Sequence, residues 1–142
     1  MRVSAKAEYA CFAMLELASG YAARQPVRVK TIADAHGIPQ RFLVQILLQL
    51  KGAGLVSSVR GASGGYQLAR PPEKIALADV VNAIDRAPVR PAPVASPTSP
   101  VVQTVRAVWR DLQAQEQHAL QELSLAELVR RAGESAALSY QI

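Results

Sequence analysis

Between positions 42 and 50 the apolar residues Phe42, Leu43, Ile46, Leu47 and Leu50 recur with a helical period and predict one wide stripe turned into a core. Gln40, Arg41, Val44 and Gln45 are left facing outward near the start of that helix. The helix is expected to begin at Pro39 or Gln40, because a proline at the first helical position lacks only an amide that would be unpaired anyway. A shorter helix precedes it over residues 29 to 36, apolar on one side through Val29, Ile32 and Ala33. Gly37 then stands where a left-handed exit residue is needed, and Ile38 can tuck under the turn. Gly54 closes the second helix, Leu55 to Val59 alternates weakly as a strand, and Tyr66 to Ala69 reads as its partner. Between the strands lie Arg60, Gly61, Ala62, Ser63, Gly64 and Gly65, a tip that can take positive φ at its three glycines.

A helix, a glycine turn, a second helix with an open polar start and a glycine-tipped hairpin make a winged helix-turn-helix. Around it the pattern predicts further elements. Ser4 caps a first helix running to about Gly20, with Glu8 early in it and Val3, Ala7, Ala10, Met14, Leu17 and Ala18 turned inward, flanked by Tyr9 and Phe12. Residues 21 to 28 form a connector broken at Pro26. Arg70, Pro71 and Pro72 interrupt the chain before a helix from Leu77 to Asp85, carried by Leu77, Val80, Val81 and Ile84. Five prolines from 88 to 100 then preclude helix and central strand, which predicts an extended linker.

Ser99 and Pro100 open a long helix from Val101 to about Leu123. Val101, Val105, Val108, Leu112, Ala119 and Leu123 follow a coiled-coil-like repeat broken once at Glu116, and Val102 and Trp109 widen it. A helix of this length cannot bury two sides on a small domain, so a crossing with a second copy is expected. Val101, Val105, Val108, Trp109, Leu112 and Leu123 are the candidate dimerisation residues. Ser124 to Glu127 is a capping box for a short last helix ending near Gly133. The expected fold class is therefore mainly α with a two-stranded wing. It divides into a winged unit (1–86), a proline-rich linker (87–100), a dimerisation helix with a short terminal helix (101–133) and a tail without motif (134–142).

Charge sharpens this division. Residues 1 to 75 carry ten Lys or Arg against four Asp or Glu, a balance of +6, whereas residues 76 to 142 carry six against seven, a balance of −1. A basic unit joined to a neutral one suits a nucleic-acid-facing head on an assembly element. No apolar run approaches a membrane span and the start lacks a signal-peptide pattern, so no membrane association and a cytoplasmic location are expected. A single cysteine, Cys11, excludes an internal disulfide and a single-chain cysteine-based metal site. Cys11 lies among apolar neighbours on the first helix, where a thiol ordinarily behaves as a small hydrophobe.

The candidate contacts to double-stranded DNA fall into two kinds. Lys30 and Thr31, at the start of the first short helix, are positioned for backbone phosphates, which set register without reading sequence. Arg60, Ser63, Gly64 and Gly65 form the wing, where glycines permit close approach to the sugar-phosphate and Arg60 can clamp a phosphate or enter a narrow minor groove. Pro39, Gln40, Arg41, Val44 and Gln45 occupy the exposed start of the second helix, the part that reads base edges. No nucleophile–base pair, paired-carboxylate motif or phosphate-binding glycine loop before a helix is present, so catalysis is not expected. A winged fold used as a protein-interaction module without DNA is the alternative from another class.

The chain resembles the Rrf2 (Rrf-two) family of bacterial transcription regulators. The resemblance rests on Met1 to Lys6 with Glu8, Tyr9 and Ala10, on Ala13 to Ala18, on Ile32, Ala33, Gly37 and Ile38, and on Leu43, Gln45, Leu47 and Leu50. It continues through Gly54 to Gly61 and Gly64 to Pro71, the most specific stretch, then Trp109 to Leu112 and Ser124 to Leu128. It implies a homodimeric regulator, expected to repress, that reads an inverted-repeat operator. Cluster-binding relatives carry three cysteines before the dimerisation helix, whereas residues 88 to 106 here hold neither cysteine nor histidine, so neither an iron–sulfur cluster nor any other cofactor or metal is expected. Relatives often have a glutamate where Val44 stands and small residues where Pro39 and Arg41 stand. Val44 can meet only a thymine methyl or nothing, and Arg41 can take a guanine, so a different operator is expected. The signal is left among a small-molecule effector in the cleft between winged unit and dimer helix, a partner protein, or thiol chemistry at Cys11.

Overall fold

Ser4 starts the fold as expected. Its hydroxyl oxygen accepts from the Ala7 amide at 3.0 Å and launches α1 (Ala5–Ser19). The same hydroxyl donates to the Asp85 carboxylate at 2.5 Å, and the Ser4 amide donates to it at 3.0 Å. The start of α1 is thereby pinned to the end of α4 (Leu77–Ile84). Ala7, Ala10, Ala13, Met14, Leu17 and Ala18 are buried. Val3, expected in that stripe, is exposed: it precedes the cap, in non-helical backbone, where a helical period no longer sets its direction. The computed structural model describes residues 1–85 and 90–140, and in them six α-helices and one two-stranded antiparallel sheet.

After α1 a single 3-10 turn (Tyr21–Ala23) leads to Arg24 in the left-handed region at φ 53°, and the connector then joins the sheet. Val27 and Tyr66 exchange two backbone hydrogen bonds, both 2.8 Å. α2 (Val29–His36) exits through Gly37 at φ 64°, with Ile38 buried beneath the turn. α3 (Gln40–Gly52) has Pro39 at its cap rather than as its first residue. Leu43, Ile46, Leu47 and Leu50 are fully buried on it. Phe42, expected among them, is 54% exposed. At about 100° per residue it stands a quarter-turn from the centre of the stripe, beyond the width the core covers.

The hairpin comprises β1 (Val56–Val59) and β2 (Gly65–Leu68), paired from Val56 with Leu68 to Val59 with Gly65. Beyond a second 3-10 turn (Pro72–Lys74), α4 packs against α1, α3 and α5 (Pro100–Glu122). The Asp79 carboxylate accepts from the Ala76 amide at 2.8 Å, which caps α4 although Ala76 offers no side-chain acceptor. Residues 90 to 99 form neither helix nor strand, and the expected boundary between residues 86 and 87 lies outside the described residues.

Ser99 caps α5 as expected, accepting from the Val102 amide at 3.2 Å. At its other end the chain turns sharply into α6 (Leu125–Tyr140), which docks on α1. That corner is stitched to the winged unit: the Leu77 amide donates to the Leu123 carbonyl at 2.7 Å and the Leu125 amide to the Ile75 carbonyl at 2.9 Å, with Leu125 fully buried. α6 was expected to stop near Gly133 and instead runs seven residues further, to Tyr140. Arg130 reaches back to Glu127 at 2.6 Å and forward to Glu134, bridging the glycine, and Ala136, Ala137 and Leu138 are strong helix formers. Arg130 and Arg131 hold the Glu127 carboxyl down at about 2.

Candidate nucleic-acid interface

The interface is built on the side of α3 that the core leaves open. Gln40, Arg41, Val44 and Gln45 are all exposed there, as their spacing predicted. Leu48, 55% exposed, and Gln49 extend the same side by one turn and were not singled out from sequence. The helical wheel that turns Leu47 and Leu50 inward would have shown both. The Lys51 ammonium donates to the Ser58 hydroxyl at 2.8 Å, tying the end of α3 to β1 and so fixing the helix against the hairpin.

The wing is held differently from the expectation. Arg60 and Ser63 are exposed at its tip, free to face a ligand. Gly64 is buried and Gly65 half-buried. A Cβ at Gly64 would lie 2.2 Å from the Val59 carbonyl oxygen, and one at Gly65 would lie 2.3 Å from the Val27 carbonyl oxygen. Two of the three glycines therefore serve a close approach within the chain itself. Positive φ occurs at Gly61 (108°) and Gly65 (154°), two of the three places expected.

Arg28 completes the arrangement, and sequence reasoning missed it. It occupies the cap position of α2 with no side-chain capping bond, and its guanidinium instead donates to the Ala62 carbonyl at the wing tip. One side chain thus couples the entry of the helix pair to the wing. Lys30 and Thr31 are exposed on the first turn of α2, but the Lys30 ammonium is bound to the Asp34 carboxylate at 2.9 Å, which raises its pKa. Its charge is partly spent before any phosphate arrives.

On α5, Val101 (75%), Val105 (45%), Val108 (50%), Trp109 (58%) and Leu112 (48%) lie exposed along one side. Leu123 does not join them. It follows the last helical residue in extended backbone, where the repeat no longer sets its direction, and its carbonyl is engaged by Leu77. Leu120 is buried in a small cluster with Ala76 and Ala78, so the C-terminal end of α5 faces its own winged unit. A cavity of about 550 Å³ lies at α5, lined by Pro91, Arg106, Trp109, Arg110 and Gln113. It is bounded by the linker, and so is not the cleft between winged unit and dimer helix that was one of three places left open for a signal.

The remaining candidate chemistry is weak. Burial pushes the Cys11 thiol up to about 11, with the Glu8 and Asp85 charges adding to it. A thiol so shifted is a poor nucleophile and a poor metal ligand. His36 pairs with Glu16 at 3.0 Å and His118 with Glu122 at 3.2 Å, both near the surface. Among the described residues no three His, Cys, Asp or Glu side chains converge as metal ligands. With one protonated thiol and two distant imidazoles per chain, the donors do not fit a thiolate-held iron–sulfur cluster.

An open helix packed on a shorter partner helix, beside a tethered glycine hairpin, defines a winged helix-turn-helix DNA-binding protein. The chain belongs to the Rrf2 family, described as iron-dependent transcriptional regulators, whose model matches residues 3–131. Rv1287 of Mycobacterium tuberculosis, provisionally named an HTH-type transcriptional regulator, is 44% identical over 135 residues, 90% of this chain and 81% of that one. The solved structure of T. potens IscR is similar at 31% identity and TM-score 0.77, covering 95% of this chain and 90% of its own. That of CymR, the global cysteine regulator of Bacillus subtilis, is similar at 29% identity and TM-score 0.78, covering 92% and 98%. The family and these relatives are transcriptional regulators and not enzymes, so the chain is a DNA-binding regulator. That decides against the DNA-free interaction module. Within the described residues no helix is long and apolar enough to cross a membrane.

Proposed function

We propose that this regulator acts in the cytoplasm as a homodimer whose two heads read an inverted repeat in double-stranded DNA and repress by occupying it. The observation that carries the proposal is the exposed apolar side of α5, from Val101 through Val105, Val108 and Trp109 to Leu112. A second copy of the same helix covers such a stripe by presenting the same residues in return. The two α3–wing heads are then related by a two-fold axis, which calls for half-sites about one helical turn of DNA apart. In each head Arg41, Val44 and Gln45 meet bases, while Thr31, Arg60 and Ser63 meet the backbone. The donors argue for regulation without an iron–sulfur cluster.

The test is the double variant Val105→Asp with Leu112→Asp. Both side chains are exposed, so the subunit fold is retained, while two buried carboxylates per chain oppose pairing. The expected result is a monomer by sedimentation that binds a two-half-site duplex no better than a single half-site. An intact dimer would place the interface elsewhere. In the parent protein Arg60→Ala should flatten the log–log salt dependence of duplex binding by about two, one phosphate from each wing.

A further inference from the structure

The outward side of α3 has an unusual composition for a basic head. The buried residues Leu43, Ile46, Leu47 and Leu50 define its inward direction. At about 100° per residue, Arg41, Gln45 and Leu48 lie within about 30° of the opposite direction, and Val44 and Gln49 within about 70°. All five are exposed. The side-chain bonds of this region, Lys30 to Asp34 and Lys51 to Ser58, leave them untouched. The outward side thus offers one guanidinium, two amides and two branched aliphatic groups. The helix QRFLVQILLQLKG contains no carboxylate anywhere along its length.

Each of these groups has a partner in the major groove. A glutamine amide matches the N7 acceptor and N6 donor of adenine, an aliphatic side chain meets the C5 methyl of thymine, and an arginine matches guanine. Cytosine presents an amino donor that calls for a carboxylate, and α3 has none to give. We infer that α3 is built to read A·T pairs. Gln45 and Gln49 address adenines, Val44 and Leu48 pack on thymine methyls, and Arg41 supplies one guanine contact at the edge of each half-site. Leu48 is the decisive addition, since its exposure has no use in the subunit core and it lies beside the two amides. The inference rests on the DNA-regulator reading above and names what that head recognises.

The experiment uses the full chain and a pool of random duplexes. Selected half-sites should be A·T-rich with a flanking G·C pair. Replacing their thymines by deoxyuridine removes only the methyl groups, and affinity should fall about fourfold per methyl contacted. The variant Val44→Ala with Leu48→Ala should bind thymine and deoxyuridine duplexes alike. Selection of G·C-rich half-sites, or equal affinity of the parent for both duplexes, would overturn the inference while leaving the regulator reading intact. Absence of any salt-dependent duplex binding would overturn both.

Discussion

Replacing Gly65 by alanine should damage DNA binding through a clash inside the chain. The new Cβ would stand 2.3 Å from the Val27 carbonyl oxygen, 2.5 Å from its carbon and 2.9 Å from the Arg28 nitrogen, all backbone atoms that cannot rotate away. Relief requires opening the Val27–Tyr66 pair, two hydrogen bonds of 2.8 Å, worth about 1 kcal/mol each net. Alanine at φ 154° adds strain of about 1 kcal/mol more. The sum, about 3 kcal/mol, is a large part of a typical stability of about 5–15 kcal/mol. It corresponds to a melting temperature lower by about 10 °C for a chain of this size. Because Arg28 also holds the wing tip, displacing this segment moves the wing relative to α2 and α3, and duplex affinity should fall as well. Gly61→Ala is the control: its Cβ meets nothing within 4 Å, so only the left-handed backbone at φ 108° opposes it, at about 1–2 kcal/mol. Calorimetry and duplex titration should rank Gly65→Ala well below Gly61→Ala in both respects. A Gly65→Ala protein melting within two or so degrees of the parent (about 0.6 kcal/mol), with the same affinity, would refute the argument.

Arg28→Met keeps the aliphatic stem but removes the bond to Ala62. Stability should change by about 1 kcal/mol or less, since the side chain is exposed, while duplex affinity drops measurably in titration. Trp109 is the chain's one tryptophan and lies on the open side of α5, so Val105→Asp with Leu112→Asp should shift its fluorescence emission to the red as that side becomes wet. Cys11 should resist iodoacetamide at pH 8 until urea unfolds the chain, because its folded pKa of about 11 lies above the ordinary 9.0. An unfolded chain releases that proton first, so its contribution to stability is constant below pH 9 and declines between about 9 and 11; Cys11→Ala should remove that part of the decline in a urea midpoint series. Replacing Pro91, Pro93 and Pro97 by serine should leave the preferred half-site spacing unchanged in a duplex-spacing series, because the linker is not what orients the rod.

What could be read from sequence was whatever a period and a punctuating residue specified together. Leu43, Ile46, Leu47 and Leu50 with Gly37 before them, and Ser4 and Ser99 as caps, each combine a local signal with a burial pattern, and all hold in the structure. Where only the period spoke, it overreached. Phe42 and Leu123 fit their stripes, yet one stands beyond the width of the core and the other beyond the end of its helix. Non-local pairings left no trace at all. Val27 is a single residue with no alternation around it, and only the fold brings it to Tyr66. Nothing near Arg28 in the chain points to its partner, because Ala62 is 34 residues away. Gly64 and Gly65 were recognised as required, but whether a glycine admits an outside ligand or an inside backbone depends on what the fold places against it.

The same distinction bears on how the head is held on α5. The proline-rich stretch is the conspicuous feature between head and rod, and it invites the idea of a flexible joint. The contacts argue otherwise. α4 packs directly on α5, Leu120 is buried against Ala76 and Ala78, and the Leu77–Leu123 and Ile75–Leu125 hydrogen bonds fasten the α5–α6 corner to the winged unit. Leu125 is fully buried in the main core, so the corner cannot swing without emptying its site, at a cost of about 2–5 kcal/mol for a side chain of that size. The direction of the rod relative to α3 is therefore set at the corner, 25 residues beyond the prolines. In a dimer built on α5, the separation of the two reading heads follows from the crossing of the rods and this rigid corner. Spacing between half-sites is then a property of packed side chains at that corner.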